Sequence, residues 1–197
     1  MSYILSESKL KSAFQKAIEE WAESPSNKTK QKNKIKSREW VKLLARNIRE
    51  LISINNIVVF PDDRHADNNV YGKRKEFLFD IHVGLYSEYN SGVGLKKYIS
   101  KSLLVAESEF SDNTRNAVED LSKLLCCDSE IKIFIGPYNS LGKESKYLSA
   151  ISEIINHNRV GILYIALVTH PKRISRNEKK WELYKVVNND LKSLKLR

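Results

Sequence analysis

The chain has 197 residues, 41% of them hydrophobic and 29% charged, enough to bury a core without disulfide or metal staples, so a single domain spanning 1–197 is expected. No apolar run reaches membrane-spanning length and no signal-peptide pattern stands at the N-terminus; the expectation is a cytoplasmic protein with no membrane partner. A formal charge of +10, from 34 Lys and Arg against 24 Asp and Glu, attracts phosphate-bearing polymers and repels basic partners, although a lysine-rich solvated surface gives the same balance.

Residues 3–22 have the spacing of an amphipathic helix, with Leu10, Phe14, Ala17 and Trp21 on one face behind the cap candidate Ser6. Residues 24–36 turn to Ser, Asn and Pro with alternating Lys28, Lys30, Lys32, Lys34 and Lys36. That is the composition of a basic loop able to grip a nucleic-acid backbone, or an acidic partner if the chain is instead a basic protein-interaction module. Ser37 opens a second helix over 37–54, apolar at Trp40, Leu43, Leu44, Ile48 and Leu51 and basic at Lys42, Arg46 and Arg49.

Beyond Asn55-Asn56 the apolar runs become short and β-branched, at 57–60, 77–83, 103–106, 131–135 and 161–168, and read as five strands within a core over 55–170. Crossover helices fit 114–125 and 143–156. Ser91-Gly92-Val93-Gly94 lacks the lysine and setting of a phosphate-binding loop and reads as the link between the second and third strands. Gly136-Pro137-Tyr138-Asn139 reads as a turn. Adjacent Cys126 and Cys127 suit neither a bridge nor a zinc site and are expected as buried reduced thiols. The basic C-terminal segment 172–197 carries a sparse stripe, Trp181, Leu183, Val186 and Leu191, that suggests a last helix.

The chemistry concentrates on two neighbouring strands. Alternation over 76–83 puts Glu76, Leu78, Asp80 and His82 on one face and Phe77, Phe79, Ile81 and Val83 on the other. The next strand ends in Glu107-Ser108-Glu109, whose two carboxylates share a side. Strands lie about 4.8 Å apart, so Asp80, Glu107 and Glu109 are expected to converge. Packed acids raise one another's pKa values, a cost that a hard divalent cation, Mg²⁺ or Mn²⁺, removes. Such an ion retains waters and can promote attack on a phosphodiester.

Asp80, followed by Glu107-Ser108-Glu109 at the end of the next strand and then by a helix and another strand, resembles the restriction-endonuclease-like, or PD-(D/E)XK, nuclease superfamily over roughly residues 37–137. The resemblance implies an α/β fold with a mixed central sheet of about five strands flanked by helices, and a metal-dependent DNA endonuclease of the kind used in restriction or phage defence, with a homodimer plausible by analogy. It implies Asp80 and Glu107 as metal ligands. The triplet's final lysine is replaced by Glu109, in a Glu-x-Glu form that is also found in a restriction enzyme of the family; there the glutamate can serve as general base.

Lys123, one helical turn from Glu119 and Asp120, is the candidate substitute for that lysine; the plain alternative is an intrahelical pair with Glu119. Asp62, in Pro61-Asp62-Asp63, rivals Asp80 for the metal, though its context is that of a turn. Glu76 is a possible fourth acid or a strand-start residue paired with Arg74 or Lys75. His82 can contact a phosphate or tune a carboxylate, and a lone histidine is more often simply hydrogen-bonded. Glu19 and Glu20 read as solvated surface. Because the motif lysine is missing, a nuclease-like, catalytically inactive nucleic-acid-binding or regulatory subunit is the main alternative.

Overall fold

The computed structural model describes residues 5–24, 33–61, 78–110, 114–138, 144–156, 161–170 and 180–194, the side chains of 33–36 and 144–147 excepted. Helix α1 (Glu7–Glu23) begins behind Ser6, whose hydroxyl accepts from the Lys9 backbone N–H at 3.3 Å and so satisfies one unpaired first-turn donor. Helix α2 spans Asn33–Leu51. It starts four residues before Ser37 because Asn33-Lys34-Ile35-Lys36 contains no helix breaker and elongation costs little once a helix is nucleated. Lys34 and Lys36 therefore belong to a helix and not to a loop.

Seven strands follow where five are expected, in a mixed sheet ordered β1 to β7 as in the chain. They are β1 (Ile57–Phe60), β2 (Ile81–Asn90), β3 (Leu95–Ser108), β4 (Ile131–Tyr138), β5 (Ile162–Thr169), β6 (Trp181–Val187) and β7 (Asp190–Ser193). The first three pair antiparallel, β3, β4 and β5 pair parallel, and β5, β6 and β7 again pair antiparallel. Helices α3 (Thr114–Cys126) and α4 (Glu144–Asn156) supply the crossovers that parallel neighbours require.

Two cores cover the two faces. On one, α1 and α2 bury Phe14, Trp21, Trp40, Leu44 and Ile48 with Ile81, Val83, Leu104 and Ile133. On the other, Ala117, Leu121 and Leu124 of α3 and Ile151 and Ile155 of α4 meet Val105, Phe134 and Ile165. Glu20 is half-buried, accepting from Arg46 at 2.6 Å and Asn47 at 2.8 Å, so it ties α1 to α2 and is more than solvated surface.

Several local expectations give way. The C-terminal stripe forms a hairpin, because Trp181, Leu183 and Val186 lie on strand β6 and Asn188-Asn189 take φ of 52° and 65°, the left-handed pair that a tight two-residue turn requires. Gly136-Pro137-Tyr138 continue β4 and pair with Leu167, Val168 and Thr169. Glu109 donates its backbone N–H to Ile135 O, so residue 137, two further on, turns its missing N–H toward the side where β3 has ended. Cys126 is exposed and Cys127 half-buried, since they close α3 while Leu124 takes the inward position. Ser91 to Gly94 do form the β2–β3 link, with Gly92 and Gly94 at φ of 79° and 127°.

The alternation over 76–83 also breaks. Leu78 has φ of 63° and lies exposed, β2 begins only at Ile81, and Phe79 packs into the core opposite to the one that receives Ile81 and Val83. Asp80 thus stands at the entrance to β2, where a regular strand has not yet begun.

Candidate active site

Antiparallel pairing of β2 with β3 sets Ile81 opposite Ala106, and so brings the residue before β2 to the end of β3. Asp80 is fixed there from both sides. Its Oδ2 accepts from the Ser108 backbone N–H at 2.9 Å and from the Ser108 hydroxyl, while its own backbone N–H donates to the Glu107 carboxylate. Carboxylates held by charge-assisted hydrogen bonds of this kind are well oriented.

Glu107, opposite Phe134 in β4, is 5% exposed. It continues the face of Val105 and lies at the rim of the core covered by α3. Burial first, then the Asp80 charge, pushes its carboxyl up from 4.5 to about 8; Asp120 adds to the rise, and Lys123 and the Asp80 N–H oppose it. Lys123 Nζ stands 3.8 Å from Glu107 Oε1 and 2.5 Å from Asp120 Oδ1. Its ammonium is held above its ordinary pKa, chiefly by the Asp120 hydrogen bond, against a smaller opposing effect of burial. The helical pair with Glu119 does not form, because Arg115 takes that carboxylate at 3.0 Å.

The structure therefore brings together Asp80, Glu107 and Lys123 among the expected residues, and adds Asp120, one turn before Lys123 on α3. Asp120 was visible in the sequence only as a helical neighbour of Lys123; its reach to Glu107 depends on how α3 packs back over β3. Glu109 lies just past β3, where its backbone N–H donates to Ile135 O. His82 points elsewhere. It is 4% exposed, its Nε2 lies 3.0 Å from Ser102 Oγ, and burial pushes it down to about 4, so it is neutral at ordinary pH and offers no positive charge to a phosphate. Asp62, Glu76, Lys28, Lys30 and Lys32 fall outside the described residues, as do the side chains of Lys34 and Lys36.

Among the described residues no three His, Cys, Asp or Glu side chains are gathered as a ready metal cage. The donor set nonetheless suits Mg²⁺, which usually takes one or two carboxylates from a protein and completes its octahedron with water and substrate oxygens. A buried glutamate against a second acid, with one half-exposed lysine as counter-charge, is also an electrostatic arrangement that added positive charge relieves.

No family model, curated protein or solved structure matches the chain.

Proposed function

We propose that this chain is a magnesium- or manganese-dependent endonuclease acting on DNA, a member of the restriction-endonuclease-like superfamily with a Glu-x-Glu triplet. The observation that carries this reading is the junction, at the end of β3, of the buried Glu107 with Asp80 and with Lys123 of the following helix. The strand, strand, helix, strand order behind the resemblance recurs as β2, β3, α3 and β4, which supports it further.

Asp80 and Glu107 would hold the ion. Bound there, it supplies charge for the phosphodiester oxygens and lowers the pKa of the attacking water. Glu107 is kept from ionising by burial and by Asp80, so the protein stores an acid that ionises when positive charge arrives. Lys123 stands at ion-pair distance, 3.8 Å, from the same carboxylate, where it could orient a water or a phosphate oxygen. Asp120 restrains that lysine to one position.

Conversion of supercoiled plasmid to nicked or linear DNA with Mg²⁺ or Mn²⁺, lost in Asp80→Ala and Glu107→Ala, is the expected result. No cutting of any of several DNA and RNA substrates removes the enzyme reading. Glu109 at the lysine position favours one second reading, a nuclease-like domain that binds nucleic acid without cutting; in the same assay it retains salt-sensitive binding and shows no product.

A further inference from the structure

Strands β2 and β3 outrun the sheet that contains them. The pairing of β1 with β2 stops at Leu85, and the pairing of β4 with β3 begins only at Leu104. Between these limits Ser87–Asn90 pair with Leu95–Tyr98 as a two-stranded ribbon closed by Ser91 to Gly94, and at its base the Tyr86 backbone N–H still donates to Asn56 O at 2.9 Å. An isolated ribbon of this length has too little apolar burial to be there for stability.

Its composition is unlike that of the sheet. Residues 86–99 hold Lys96 and Lys97 against the single acid Glu88. Lys97 lies 4.4 Å over the Tyr86 ring and 3.7 Å from Glu88 on one face. On the other, Tyr89 and Tyr98 meet edge to face at 5.9 Å, each nearly half exposed, with Lys96 paired opposite Tyr89. Both faces thus carry a lysine beside tyrosine.

We infer that this ribbon is an arm that enters a groove of duplex DNA. A two-stranded ribbon fits the major groove, about 12 Å wide, whose phosphate walls flank it on both sides; lysines on both faces match two walls, where binding to a flat anionic surface would need only one. Tyrosine hydroxyls and lysine ammoniums are ordinary phosphate donors, and Val93 and Leu95, 86% and 73% exposed at the tip, suit contact with thymine methyls. Tyr98 and Glu107 lie nine residues apart on β3, about 30 Å at strand rise, close to one turn of B-DNA at about 34 Å. The arm and the acidic site would therefore meet one duplex a turn apart. The inference rests on the nuclease reading for its substrate.

The test is anisotropy of a labelled duplex of about three turns in EDTA, where nothing is cut, alongside plasmid cleavage in Mg²⁺. Lys96→Gln/Lys97→Gln and Tyr89→Ala/Tyr98→Ala variants, checked by circular dichroism, should bind at least about fivefold more weakly, and loss of two phosphate contacts should reduce the log–log salt slope by about 1.8. Lys192→Gln, on β7 at the other end of the strand order from the arm, should bind as the parent does. Unchanged affinity and slope in both arm variants, with the parent still cutting, overturns the arm alone. A parent that binds and never cuts leaves the arm standing and removes the nuclease, and one that neither binds nor cuts removes both. If the arm variants instead convert a dimer to a monomer by light scattering with DNA affinity unchanged, the arm's partner is a second copy of this chain and the inference fails.

Discussion

The Lys123 ammonium on α3 stands 3.8 Å from the Glu107 carboxylate at the end of β3, and hydrogen-bonds Asp120 at 2.5 Å. It is thus a cation shared between a buried acid and a half-buried one, and which of the two it serves decides its role. If it substitutes for the missing triplet lysine, Lys123→Met lowers the cleavage rate by about 10²-fold or more, the lower end of a general acid–base or orienting contribution. Glu109→Gln, at a residue just past the end of β3, stays within about tenfold of the parent. Single-turnover rates on one defined duplex decide it; the reverse order of effects gives the role to Glu109.

The raised Glu107 pKa has a consequence for stability. The folded protein holds a proton on this carboxyl up to about 8, whereas the unfolded chain releases it near 4.5. Folding therefore favours the protonated form, and its contribution is complete below about 4.5 and is lost as pH rises through about 8. In EDTA, the urea midpoint of the parent should fall relative to that of Glu107→Gln between about pH 5 and pH 9, by an amount worth a few kcal/mol. Added Mg²⁺ should reverse part of the loss in the parent and none in Glu107→Gln. Parallel midpoints across this range would mean that Glu107 is solvated.

How far the site could be read from the sequence depends on distance along the chain. The meeting of Asp80 with Glu107 was legible from a fixed interstrand spacing, and the face of Glu107 from a strand's period of two, neither of which needs tertiary information. The same period misplaced Phe79, since nothing in the sequence marks Leu78, a bulky residue, as left-handed at φ 63°. Lys123 was legible as a candidate, but its partner was not. Glu119 and Asp120 are both about a turn away, and only the seat of α3 on β3 turns Asp120 inward and leaves Glu119 to Arg115. The β6–β7 hairpin did have a signal, an Asn-Asn pair after the alternating Trp181-Glu182-Leu183, which basic flanks obscured.

Gly84 sits where β2 passes close against β3. A Cβ there would come 2.8 Å from Ile99 Cγ2 and 3.2 Å from the Lys101 carbonyl oxygen, beside the register shifts that flank the ribbon. Because Ile99 is β-branched and the carbonyl is backbone, neither gives way easily. Gly84→Ala should destabilise by about 1–3 kcal/mol, lowering Tm by about 2–4 °C per kcal/mol for a chain of this size. Ile99→Ala in the same chain should recover part of that loss. Full additivity of the two substitutions in a thermal double-mutant cycle would show that the methyl clash is not the cause.

The order of strands in the sheet is the order in which they are synthesised. Each strand emerging from a ribosome finds its neighbour already made, and loop closures stay short. The exception is the last hairpin. Trp181 Nε1 donates to Gln15 Oε1 at 2.8 Å, Lys185 reaches Glu7 at 2.6 Å, and Trp181 stacks on Phe14 with centroids 5.9 Å apart. Helix α1 therefore gains part of its packing only when β6 has been made. Asp80, Glu107 and Lys123 all precede β6 in the chain, so the residues of the acidic site are made before the hairpin that closes over α1.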